Sequence, residues 1–353
     1  MAADDPQFAY MNARVRSLKS MLFPRARIEE FLHQNDLARM TEAMLDSPYR
    51  QQLAEALSHG TGADAIEDAV TRNVALTSSM LLARATGRPL KLLKHFLMRW
   101  DLRAVKSLVR ARHHGLGPDD AVASLVPGAL MTPGVLRRLA ACPNMETLCG
   151  QLIAWNPDLC GGLSSALAAY KQSGEVAVLD EALDQRYFVR ATEQLRRADD
   201  ESGQLLHFFM RLERDRINLR LIFLRLREPG APPIPAARFL PEGTLSLPML
   251  ARLGQAQDAA EVVRELSGKR YGEFVTELYQ FTQTQRFSPI ERLFERVLLR
   301  ELRRLSVRDP LSFAVVMDYA CRKYNEAVNL RLIARGMAGH VPPGRVREQL
   351  VFI

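Results

Sequence analysis

A five-residue string occurs twice in this chain. Asn218-Leu219-Arg220-Leu221-Ile222 returns unchanged as Asn329-Leu330-Arg331-Leu332-Ile333, and an acid stands three residues ahead of each asparagine, Asp215 and Glu326. A degenerate earlier copy reads Asp101-Leu102-Arg103-Ala104-Val105-Lys106. Shifting the first copy by 114 residues carries Asp101 onto Asp215, Pro118 onto Pro232, Pro127 onto Pro241, Leu136 onto Leu250 and Leu152 onto Leu266 without a gap. Self-similarity at a fixed period makes each repeat one structural unit, a stronger constraint than any local propensity. The repeats divide the chain at 1–117, 118–231 and 232–353, with Gly- and Pro-rich joins at 115–118 and 228–233.

Other elements repeat in step. Glu67, Asp180 and Glu291 share the pattern apolar, acid, two residues, apolar, and are read as carboxylates at helix N-termini. Ser288-Pro289-Ile290-Glu291 has the form of a capping box with proline at the first helical position. Met44, Pro48, Leu53 and Leu57 align with Leu139, Pro143, Leu148 and Leu152. Each unit is therefore expected to hold short helices followed by a long antiparallel pair, and a proline (118, 232 or 343) followed by a short apolar helix. Asn12 and Pro24 resemble a shortened fourth copy of the asparagine element and its proline.

Periodicity assigns the fold class. From Leu311 the apolar positions run through Val315, Tyr319, Ala327, Leu330 and Ile333, interrupted by Lys323 and ended by Gly336 as a helix C-cap. Alternating strand patterns are nearly absent, so the chain is expected to be all-α. No stretch reaches the roughly 18 apolar residues of a membrane helix. The opening Ala2-Ala3-Asp4-Asp5 is acidic where a signal peptide is basic. Both features predict a cytosolic chain.

Charge is concentrated. Between Arg84 and Arg112 nine basic residues face only Asp101, a surplus that matches the +8 of the whole chain. Arg88, Lys91, Lys94, Arg99, Arg103 and Lys106 form a candidate basic stripe for an acidic partner or anionic lipid headgroups. Nucleic acid is the other reading, without an aromatic stacking platform or a recognisable reading motif to support it. A solvated helix face is the third.

No catalytic, cofactor or metal site emerges from spacing. Ser267-Gly268-Lys269-Arg270 lacks the upstream glycine of a phosphate loop. His113-His114 sits at a helix end, where the dipole favours it. Cys142, Cys149, Cys160 and Cys321 have no paired spacing and read as buried free thiols. The motif residues Asp101, Asp215, Asn218, Arg220, Glu326, Asn329 and Arg331 are read as structural, with the carboxylates and amides bonding nearby loop backbone.

The terminal strings carry a resemblance. Tyr10 to Lys19 and Thr41 to Tyr49 look like the start of the C subunit of the V-type and A-type rotary ATPases, called the d subunit in eukaryotic vacuolar enzymes. Tyr319 to Ile333, with Val346 to Leu350 after it, is similar to that family's closing signature. The resemblance implies three helical units around a pseudo-threefold axis, shaped as a funnel. It implies a non-catalytic, peripheral rotor component on the cytoplasmic side, partnered by the membrane rotor ring and the central shaft, with neither nucleic acid nor small-molecule substrate. A cytosolic helical-repeat adaptor would share the fold class without these terminal strings.

Overall fold

The computed structural model describes residues 6–123, 125, 128, 130–195, 200–228, 230–267 and 288–352. The first helices are α1 (Pro6–Lys19), α2 (Arg25–Gln34), α3 (Leu37–Leu45), α4 (Arg50–Leu57), α5 (Gly62–Arg84) and α6 (Gly87–His113). Next come α7 (Pro118–Ala123), α8 (Pro133–Ala140), α9 (Met145–Trp155), α10 (Pro157–Cys160), α11 (Leu163–Ser173) and α12 (Val176–Leu195). The remainder are α13 (Glu201–Leu226), α14 (Leu247–Leu253), α15 (Ala259–Ser267), α16 (Ser288–Arg308), α17 (Ala314–Ala338) and α18 (Pro343–Arg347). One 3-10 turn spans Ala236–Arg238, and no strand occurs among the described residues. The protein is all-α, as its periodicity predicts.

By packing, the chain groups into two compact units. The first joins Met1–Met11 to Thr71–His207. Its axis is α6, whose Leu93, Phe96, Leu97, Trp100, Ala104 and Leu108 recur every three or four residues and are all buried. This stripe faces α12, which contributes Leu183, Tyr187 and Ala191. Each such Leu or Phe contributes about 1.5–3 kcal/mol through burial. Short helices close the unit, started by side-chain caps: Thr132 accepts from Val135 N–H, Asn144 from Thr147 N–H and Asn156 from Leu159 N–H. The Cys149 and Cys160 thiols are buried here, and burial pushes them up to about 11 and about 12.

The second unit joins Asn12–Val70 to Phe208–Ile353. Its longest packing seam is between α16 and α17, joined by residues 309–313. Leu219, Ile222 and Phe223 of α13 share one core with Leu250 of α14, Val262 of α15 and Leu293 of α16. Gly336 is not the C-cap expected of it: α17 continues to Ala338, and Gly336 lies inside it. A Cβ there would collide with Val346, so the glycine serves the approach of α18. Pro232 precedes only the 3-10 turn, whereas Pro118 and Pro343 each open an α-helix. The Ser288 side chain of the expected capping box, and the residues after Ser267 weighed as a phosphate loop, lie outside the described residues.

Candidate functional site

The motif carboxylates sit on the long helices and grip loops. Asp101, on α6, is fully buried and accepts the N–H groups of Leu130 at 3.1 Å and Met131 at 3.0 Å. Asp215, on α13, accepts those of Thr244 and Leu245, both at 3.1 Å, and the Thr244 hydroxyl. The separation in sequence is 29 and 30 residues in both cases. In both, the gripped pair stands just ahead of the N-cap of a short helix, α8 or α14. A Cβ on Gly128 would strike the Asp101 carboxylate, and one on Gly243 that of Asp215. Burial pushes the Asp215 carboxyl up, against hydrogen bonds from Thr244 and Leu245 that favour the anion.

The asparagines make a second repeated bond. Asn218 Nδ2 donates to the Leu240 carbonyl at 2.9 Å while Leu240 N–H donates back to Oδ1 at 2.8 Å. Asn329 exchanges the same two bonds with Val351, at 2.9 and 3.2 Å. Each partner lies 22 residues on. Asparagine within a helix costs roughly 0.5 kcal/mol, less than leaving two buried backbone groups unpaired.

Glu326 is placed differently from the two aspartates. Its Oε2 accepts Phe23 N–H at 2.5 Å, and its Oε1 accepts the Tyr49 hydroxyl at 2.6 Å and Lys323 Nζ at 3.0 Å. Lys323 Nζ also lies 2.7 Å from the Tyr49 hydroxyl and 4.0 Å from its ring centroid. Burial lowers the Lys323 pKa while Glu326 opposes it; burial and then Glu326 push Tyr49 well above its ordinary value. The cluster ties residues 23 and 49 to α17. Sequence reasoning missed Tyr49, and met Lys323 only as an interruption of the apolar stripe, which was the available signal.

The three repeated acids do more than cap. Glu291 lies in the first turn of α16, but Glu67 and Asp180 fall beyond the first turns of α5 and α12. Each pairs with arginine on another long helix. Asp180 meets Arg110 at 2.5 Å, Glu291 meets Arg220 at 3.3 Å, and Glu67 meets Arg331 at 3.3 Å and also Arg335. Position on the helix is a local matter, but these partners come from sequence-distant helices.

The basic segment of α6 is divided by its surroundings. Arg88 pairs with Asp200 at 2.7 Å and Lys106 with Asp184 at 2.6 Å. Arg99 is buried beside Trp100, its guanidinium carbon 5.2 Å from the ring centroid. Arg103 is half-buried, whereas Lys91 and Lys94 are exposed. Among the described residues, no group of three His, Cys, Asp or Glu could hold a metal ion, and no helix is long and apolar enough to cross a membrane.

Residues 11–349 match the profile of the ATP synthase (C/AC39) subunit family. The chain belongs to this family. Similar curated proteins are the A-type ATP synthase C subunit of Haloquadratum walsbyi, 28% identical over 97% of each chain, and that of Methanothermobacter thermautotrophicus, 28% identical over 97% of this chain and 87% of the relative. The protein of the same name from Methanococcoides burtonii is 26% identical over 98% of this chain and 94% of its own. In this C/AC39 family member the opening strings reach the closing one through Tyr49, which meets Glu326 and Lys323, and the first of them also braces residues just ahead of it. Asn12 Nδ2 donates to the Leu311 and Ser312 carbonyls at 2.5 and 3.1 Å, and Lys19 Nζ to Asp318 at 2.5 Å.

Proposed function

We propose that this chain is the non-catalytic socket of the central rotor in an A/V-type rotary ATPase. It seats on the cytoplasmic end of the membrane rotor ring, receives the central shaft and couples the two for proton or sodium transport. Three helical repeats at 1–117, 118–231 and 232–353 form the funnel that this role requires. The family match across residues 11–349 carries the reading. Acid–arginine pairs recur between the repeats. Arg110 of the first repeat meets Asp180 of the second, Arg220 of the second meets Glu291 of the third, and Arg331 of the third meets Glu67 of the first.

The basic segment is proposed to help docking through Lys91 and Lys94, since Arg88 and Lys106 already hold aspartates. The test is co-sedimentation with ring-containing membranes at low and high salt. Wild type is expected to dock at both salts. Lys91→Gln/Lys94→Gln is expected to dock more weakly at low salt, the gap narrowing as salt screens beyond about 8–10 Å. Absence of docking by wild type would refute the socket reading; equal docking by the variant would reduce the two lysines to a solvated face.

A further inference from the structure

A second basic surface lies where α16 turns into α17. Netting charge over the whole chain hides it, because acids elsewhere offset the surplus of α16, which holds six arginines and three glutamates. Arg303, Arg304 and Arg308 are exposed, and helical spacing places them with Val307 on one arc of α16. Val307 is 72% exposed, and Leu311, four residues on in the turn, is 56% exposed. Together the two form an exposed aliphatic tip flanked by arginines.

This turn is held from beneath. Asn12 grips the Leu311 and Ser312 carbonyls, and Arg16 donates to the Pro310 carbonyl at 2.5 Å. Leu311 N–H is taken by the Asp309 side chain at 3.0 Å, which turns that carboxylate onto the backbone. The Leu311 backbone is therefore fixed while its side chain is presented outward.

We propose that this turn is a contact site for an anionic bilayer surface, with Val307 and Leu311 entering the headgroup layer and Arg303, Arg304 and Arg308 meeting lipid phosphates. Interfacial segments combine these two features, an apolar tip and arginines whose stems lie along it with their charges at headgroup level. A nucleic acid backbone would satisfy the arginines and leave the aliphatics uncovered. The proposal rests on the socket reading only in setting the chain beside a bilayer.

Bare vesicles without any rotor ring separate the two ideas. Full-length protein is co-sedimented with phosphatidylserine–phosphatidylcholine and with pure phosphatidylcholine vesicles. Binding is expected only with the anionic lipid. Arg303→Gln/Arg304→Gln/Arg308→Gln, and separately Val307→Ser/Leu311→Ser, are each expected to weaken it at least about tenfold. Lys91→Gln/Lys94→Gln should bind as wild type does. Thermal melts check that the variants fold, and Leu311→Ser alone serves if the double change does not. Failure of wild type to bind anionic vesicles, or unchanged binding by both variant sets, overturns the proposal, and the turn then belongs to a protein contact. Failure here would leave docking to the ring untouched.

Discussion

Asparagine is a poor residue for the middle of a helix, so its repeated use at Asn218 and Asn329 needs a return elsewhere in the structure. The return is a two-way bond to a buried backbone segment 22 residues on, at Leu240 and Val351. Removing the Asn218 side chain leaves one N–H and one C=O without this partner, whereas at Asn329 the Val351 carbonyl still accepts Asn325 Nδ2 at 2.9 Å. Asn218→Ala is therefore expected to cost about 2–4 kcal/mol and Asn329→Ala about 1–3 kcal/mol. Denaturant unfolding measures this; a loss no larger than that of an exposed helix substitution would mean that water replaces the amide. Sequence showed that these positions were special but not which backbone each would grip. The string specifies a helix face, whereas its partner depends on how the following loop returns.

Beyond their apolar seams, several elements are also tied at their ends by ion pairs and backbone bonds. Arg88, at the start of α6, holds Asp200, which also accepts Gly203 N–H at 2.6 Å at the start of α13. Arg88 holds the Asp200 carboxyl below the usual carboxylate range, with burial opposing and the Gly203 bond assisting. The folded pKa is depressed, so the stabilisation is complete above the unfolded value of about 3.9 and is lost as pH falls through the folded one. Arg88→Gln should thus be less stable than wild type at neutral pH, with the difference closing toward acid. Paired thermal melts taken down to about pH 2 test this. A gap that stays constant with pH would show that the loss comes from packing instead. α1 works in the same manner, its Asn12, Arg16 and Lys19 bracing the start of α17. The sequence showed α1 as a weak fourth copy and said nothing of what it braces.

Across the whole molecule one acid–arginine pair recurs three times in unequal surroundings. The Glu67 and Arg331 side chains are 9% and 8% exposed, whereas those of Glu291 and Arg220 are 52% and 29% exposed. Breaking a buried pair strands a charge and costs about 3–5 kcal/mol, while an exposed pair is worth under about 1 kcal/mol. Glu67→Gln should therefore destabilise most, Asp180→Asn less and Glu291→Gln least. Chemical denaturation of the three variants gives the order directly. If Glu291→Gln proved the worst, the ladder would not be graded by burial.

The sequence by itself determined the helical class, the spacing of the repeats and the family. All three are encoded in positions a few residues apart or in strings that stay intact along the chain. Tertiary structure alone decided that Glu326 takes Tyr49, Lys323 and Phe23 where the two aspartates take loop N–H groups 29 and 30 residues on. It also decided that Arg99 is buried while Lys91 is not. The physical reason is range. Helix periodicity is a local signal, but the solvation and partners of a charge depend on elements up to some 300 residues away, as between Asn12 and Ser312, and no local pattern carries that information.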